Sequence, residues 1–79
     1  MRIKIRLLAY FKEYLPEKSE QGLPTVELGP SATVGDVLLK LGIPPQHPKI
    51  IHVNGALAEE KDPLKEGDVL SVFPPLPGG

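Results

Sequence analysis

The sequence predicts an α+β fold in which one mixed sheet packs against a single main helix, and three observations carry that expectation. Ile3, Ile5 and Leu7 alternate with Arg2, Lys4 and Arg6; Val34, Val37, Leu38 and Leu41 recur at helical spacing; and a second strand-like run, 69–73, lies near the end. A chain of 79 residues supports one domain and buries only about 60% of its unfolded surface. The core therefore has to be continuous, and a roomy catalytic cleft is not expected.

The first element is a strand with one face on a core and the other toward water. Residues 8–15, with Tyr10, Phe11, Tyr14 and Leu15, fit either a continuation of that strand or a short helical turn before Pro16. Residues 17–22 are polar and read as an exposed loop, feeding a second strand at 25–28 with Val26 and Leu28 inward and Pro24 at the edge. These two strands form an antiparallel hairpin. Thr33 followed three residues later by Asp36 resembles a helix N-cap, although the usual partner in a capping box is Glu or Gln. Gly42 supplies the C-terminal cap, and Pro44-Pro45 prevents continuation.

Residues 50–53 read as a strand, Asn54-Gly55 as a tight turn, and Ala56-Leu57 as a brief returning strand. Residues 59–67 form a charged loop. In the last strand, 69–73, Leu70 and Val72 take one face and Val69, Ser71 and Phe73 the other. The order strand, strand, helix, strand, short strand, strand closes one core if the helix crosses one face and the last strand lies beside the first. That layout is the β-grasp.

A hydrophobic share of 41%, a charged share of 24% and a formal charge of −1 describe an ordinary soluble domain with no broad attraction to nucleic acid. The absence of cysteine removes disulfides, thiolate metal sites and a side-chain sulfur nucleophile. The N-terminal residues alternate charge with apolar side chains instead of forming a signal peptide, no apolar run reaches membrane-spanning length, and a cytoplasmic location is expected. His47 and His52 have no metal-ligand spacing, so no metal site is expected; His52 reads as a strand residue facing solvent. Ser19, Ser31 and Ser71 lack a nucleophile-elbow context. The period-2 cations Arg2, Lys4 and Arg6 read as a solvated strand face in preference to a nucleic-acid stripe, and Glu59, Glu60, Asp62, Glu66 and Asp68 as a solvated acidic loop in preference to a contact for a basic partner.

After Phe73 the chain reads Pro74-Pro75-Leu76-Pro77-Gly78-Gly79. The prolines remove ladder donors and favour extended backbone, so six such residues project roughly 19 Å at ~3.1 Å each. Glycines without Cβ atoms can thread a narrow channel. Two segments result, a β-grasp domain at 1–73 and an extended, flexible diglycine tail at 74–79.

The opening strand through Leu8-Ala9-Tyr10-Phe11, the Thr33-Val34-Gly35-Asp36-Val37-Leu38 helix start, Val53-Asn54-Gly55, Glu66-Gly67-Asp68 and above all Phe73-Pro74-Pro75 with Gly78-Gly79 carry a resemblance. The chain resembles the MoaD/ThiS ubiquitin-like sulfur carriers, and within them the MoaD-type small subunit of molybdopterin synthase. Pro77 and Leu76 depart from the small residue and the valine of that pattern.

The resemblance implies a carrier that is not an enzyme by itself and binds no cofactor. A ubiquitin-activating-type adenylyltransferase would use ATP to convert the Gly79 carboxylate into an acyl-adenylate, and a persulfide sulfur donor would yield a thiocarboxylate. Activation is needed because a terminal carboxyl, with a reference pKa of about 3.3–3.7, is an anion and a poor electrophile at neutral pH. Molybdenum or tungsten cofactor synthesis is the implied destination, with the tail entering a larger molybdopterin synthase subunit in a heterotetramer. Sulfur delivery to thiamine or tRNA, and a ubiquitin-like modifier conjugated through Gly79, are alternatives. Leu8, Val69 and Phe73 are expected to share the sheet face away from the helix and form a docking face, with the tail residues Pro74, Pro75, Leu76, Pro77 and Gly78 contacting the partner.

Overall fold

A computed structural model describes residues 1–15 and 24–75. Five strands and one α-helix appear in the expected order: β1 (Arg2–Leu7), β2 (Thr25–Glu27), α1 (Val34–Leu41), β3 (Ile50–Val53), β4 (Ala56–Ala58) and β5 (Val69–Phe73). They form one mixed sheet of order β2-β1-β5-β3-β4. β1 pairs parallel with β5, and the other three pairings are antiparallel. The chain has the β-grasp fold.

Alternation sets the sheet's two faces. In β1, Ile3, Ile5 and Leu7 are buried and Arg2, Lys4 and Arg6 exposed. Register carries this parity to the neighbouring strands: Ile5 lies opposite Leu70 and Leu7 opposite Val72, while Val53 and Ile51 meet the same two β5 residues from the other side. Val34, Val37 and Leu38 of α1 cover this inner face in one cluster with Phe11, Val26, Ile43 and Leu64. Fully burying side chains of this size stabilises by about 1.5–3 kcal/mol each.

The ambiguous stretch after β1 is a 3₁₀ helix, Ala9–Tyr14, entered by Ala9 at φ 55°. Phe11 drives it: its ring is fully buried, and its N–H donates to the Leu8 carbonyl at 3.1 Å. The exposed loop expected at 17–22 lies outside the described residues.

Asp36 does the work of Glu in the capping box. Thr33 Oγ1 accepts from Asp36 N–H at 3.3 Å, and Asp36 Oδ2 accepts from Thr33 N–H at 2.9 Å. The next two free donors of the helix, Val34 N–H and Gly35 N–H, reach the carbonyls of Asp62 (2.9 Å) and Glu60 (2.8 Å). The loop after β4 therefore straps the helix start to the sheet. A Cβ at Gly35 would stand 3.2 Å from the Glu60 carbonyl oxygen, which accounts for glycine there. At the other end Gly42 adopts φ 84° and the Ile43 N–H closes on the Leu38 carbonyl at 3.0 Å.

The acidic loop is not simply solvated. Asp68 is only 7% exposed, and its carboxylate accepts from Asn54 Nδ2 (3.0 Å) and the Lys65 N–H (2.8 Å). Asn54 in turn accepts from the Val69 N–H at 2.9 Å and donates its own N–H to the Val69 carbonyl at 2.8 Å. This knot ties the β3–β4 turn to the start of β5. Just past β4, the Glu59 N–H donates to Asp62 Oδ2 at 2.9 Å and the Glu59 carbonyl accepts from Asp62 N–H at 3.0 Å.

Candidate functional site

β5 is central, flanked by β1 and β3, and it leads into the proline segment. Its last partners are the Leu8 N–H, which donates to the Val72 carbonyl at 3.1 Å, and Ile50, opposite Phe73. Pro74 follows without an N–H to donate, so sheet pairing stops where the tail begins. A strand clamped on both sides gives the following segment a rigid root.

Beside that root the outer face carries an apolar cleft of about 520 Å³, lined by Leu8, Ala9, Ile50, His52, Phe73 and Pro74. The rings of His52 and Phe73 are 5.1 Å apart and inclined at 60°. His52 is half-buried in this cleft, in place of the solvent-facing position its strand parity suggested. α1 packs on the inner face and leaves this side uncovered by it.

Leu8 and Phe73, expected to share a face, meet in the cleft. Val69 has the same parity but lies at the other end of β5, opposite Lys4 and outside the cleft. Pro75 is described and exposed; Leu76, Pro77, Gly78 and Gly79 lie outside the described residues. Three cleft residues were not anticipated. Ile50 and His52 join the cleft through the β3–β5 register, which sets Ile50 opposite Phe73 and which the Asn54-Gly55 turn, joining β3 to β4, does not fix. Ala9, a non-glycine residue at positive φ, leaves no mark in the sequence.

Chemically the cleft offers apolar surface without a nucleophile or paired carboxylates. Among the described residues no group of three or more His, Cys, Asp or Glu side chains could hold a metal ion, and no helix is long and apolar enough to cross a membrane. The arrangement suits the binding of a macromolecular partner at the root of the tail.

Residues 5–79 match the ThiS family, from the middle of β1 through the terminal diglycine. The chain belongs to the ThiS family. It is thus a small ThiS/MoaD-type carrier domain, not itself a catalytic enzyme. Solved structures share the fold of this ThiS-family chain. SAMP1, small archaeal modifier protein 1, from Haloferax volcanii superposes with a TM-score of 0.73 at 26% identity, covering 100% of both chains. The thiamine biosynthesis protein ThiS from Geobacter metallireducens gives a TM-score of 0.65 at 18% identity, and a chain from the complex of subunits 1 and 2 of molybdopterin-converting factor from Helicobacter pylori gives 0.65 at 20%. Both again cover 100% of each chain, and at these identities they speak for the fold alone. No curated protein sequence matches this ThiS-family chain.

Proposed function

We propose that this chain carries sulfur on the carboxyl group of Gly79, the chemistry shared by the MoaD/ThiS-type carriers it resembles, and delivers it in molybdopterin synthesis. The observation that carries this reading is the family match, which spans residues 5–79 and so includes Gly79. The clamped β5 root and the adjacent cleft support it, because a reactive chain end must be presented at a defined place on a partner.

The Gly79 carboxylate oxygen attacks the α-phosphorus of ATP in an adenylyltransferase, releasing pyrophosphate and leaving an acyl-adenylate. A persulfide sulfur then displaces AMP, and a thiol cleaves the resulting acyl disulfide to leave the thiocarboxylate. Gly78 gives the tail a slim last step into the enzyme, and Pro74, Pro75, Leu76 and Pro77 form its stalk. ATP and the sulfur donor act through the activating enzyme, so this chain needs no resident cofactor. Leu8 and Phe73 provide the apolar contact for that enzyme and for a larger acceptor subunit, with Val69 at the margin. The two-subunit molybdopterin-converting factor complex of Helicobacter pylori supports such an acceptor.

The test is intact-mass measurement after incubation with an activating enzyme, ATP and a persulfide donor. Replacement of one carboxyl oxygen by sulfur is the expected result, and an unchanged mass with no acyl-adenylate sinks the reading. Transfer to a pterin precursor, as against thiamine or tRNA precursors, then identifies the destination. A second reading, a protein modifier conjugated through Gly79, is favoured by the full-length likeness to SAMP1 and would show isopeptide-linked adducts in cells. Phe73→Ser should weaken binding to the activating enzyme; unchanged folding and binding would remove the docking role.

A further inference from the structure

The outer sheet face has a second feature beyond the apolar cleft. Arg2, Lys4 and Arg6 stand in one row on β1, beside Thr25 and Glu27 of β2 and Val69 and Ser71 of β5. Arg2 is paired with Glu27 at 3.5 Å. Among the described residues neither Lys4 nor Arg6 has a carboxylate within 4 Å. This row holds three cations and one carboxylate on a chain whose overall charge is −1, so the charge is distributed unevenly. Ser71, in register between Arg6 and His52, is only 5% exposed although α1 packs on the opposite face. Its cross-strand neighbours, Arg6 on one side and His52 of the cleft on the other, connect the cation row to the cleft in register.

Spacing makes the two features one surface. Alternate residues of a strand are about 7 Å apart, which puts Arg6 about 7 Å and Lys4 about 14 Å along β1 from Leu8 at the cleft. Screening at physiological salt acts over about 8 Å, so a partner carboxylate at the edge of the cleft would feel Arg6, and Lys4 is reached where the partner's footprint extends one further step along β1. Because β1 and β5 run parallel, the cation row starts at the far end of the face with Arg2 and approaches the tail root, with Arg6 opposite Ser71, two residues before Phe73. A partner that reads both the cleft and the row leading away from it can dock in only one rotational setting.

We propose that Lys4 and Arg6 form a cationic orienting strip that meets carboxylates on the activating adenylyltransferase while the cleft makes the apolar contact. The inference rests on the carrier reading above, and the activating enzyme is the partner chosen because every destination weighed for Gly79 requires activation first. The strip speeds encounter and fixes which way the tail points; the chemistry at Gly79 remains the enzyme's.

The test uses the full chain and its adenylyltransferase in stopped-flow association across a sodium chloride series. A Lys4→Glu/Arg6→Glu variant is expected to associate on the order of tenfold more slowly at low salt and to lose most of the salt dependence. Lys4→Gln/Arg6→Gln should show a smaller effect of the same sign, with a thermal melt checking that each variant folds. Lys40→Glu/Lys61→Glu, which changes net charge equally away from this face, should have little effect. The fall in kcat/KM is expected to come through KM. Equal slowing by the Lys40/Lys61 pair, or unchanged association in the Lys4/Arg6 variants, overturns the proposal while leaving the carrier reading intact. So does tighter binding of a random-sequence RNA oligonucleotide than of the enzyme, abolished by the same two substitutions. Failure of the wild type to bind or be adenylated at all removes the carrier reading itself, and the strip with it.

Discussion

Replacing Asp68 by alanine should be among the most damaging single changes outside the apolar core. Its carboxylate accepts two hydrogen bonds, from Asn54 Nδ2 at 3.0 Å and Lys65 N–H at 2.8 Å, at a site only 7% exposed. Hydrogen bonds to charged groups are worth about 1.5–3 kcal/mol each, and water can replace part of that because both bonds are only part-buried. A loss of about 2–4 kcal/mol follows, and for a domain of this size each kcal/mol moves the melting temperature by about 4–8 °C. Asp68→Ala should therefore melt on the order of 10–25 °C lower. Asp68→Asn keeps one accepting oxygen and should lose about half as much free energy. Urea unfolding of Asp68→Ala, Asn54→Ala and the double variant gives the coupling directly, expected near 1 kcal/mol. A single-variant loss below about 0.5 kcal/mol, or additivity within about 0.3 kcal/mol, would refute the view that this knot holds the β3–β4 turn to β5.

Three other substitutions test the helix and the cleft rim. Thr33→Ala removes the capping hydroxyl and should cost about 1 kcal/mol by urea unfolding, with Thr33→Ser restoring most of it. Gly35→Ala should destabilise by about 1 kcal/mol despite alanine's higher helix propensity, because the Glu60 oxygen 3.2 Å from the new Cβ is held by the Gly35 N–H; a stabilised variant would show that the strap yields. Ala9→Gly relieves a positive φ of 55° and should raise stability by up to about 1 kcal/mol, measured as a higher urea midpoint at unchanged slope.

Local signals carried most of the fold. The β1 alternation, the Thr33 and Asp36 cap, the Gly42 stop and the Asn54-Gly55 turn depend on neighbours within a few residues, and each stands where the sequence put it. Features set by tertiary register were not legible. Asp68 reads as one more loop acid until Asn54 and Lys65 are brought to it, and His52 reads as solvent-facing until Phe73 arrives from β5. Residues 8–15 stayed ambiguous because the burial of Phe11, and not local propensity, selects the 3₁₀ turn. The apolar docking pair was half legible: parity put Leu8, Val69 and Phe73 on one face, but only β1 and β5 pairing shows that Val69 lies at the far end.

The Glu59–Asp62 turn after β4 has a consequence for how the molecule behaves in a crowd. Val53 and Ala56 flank the two-residue turn as a bonded pair, so the outward-pointing backbone groups of β4 belong to Leu57, itself 77% exposed, and the next outward pair would be those of Glu59. Asp62 already occupies both Glu59 groups. An invading foreign strand thus finds one residue's worth of docking points on this border, too few to template a fibril or zip two copies together.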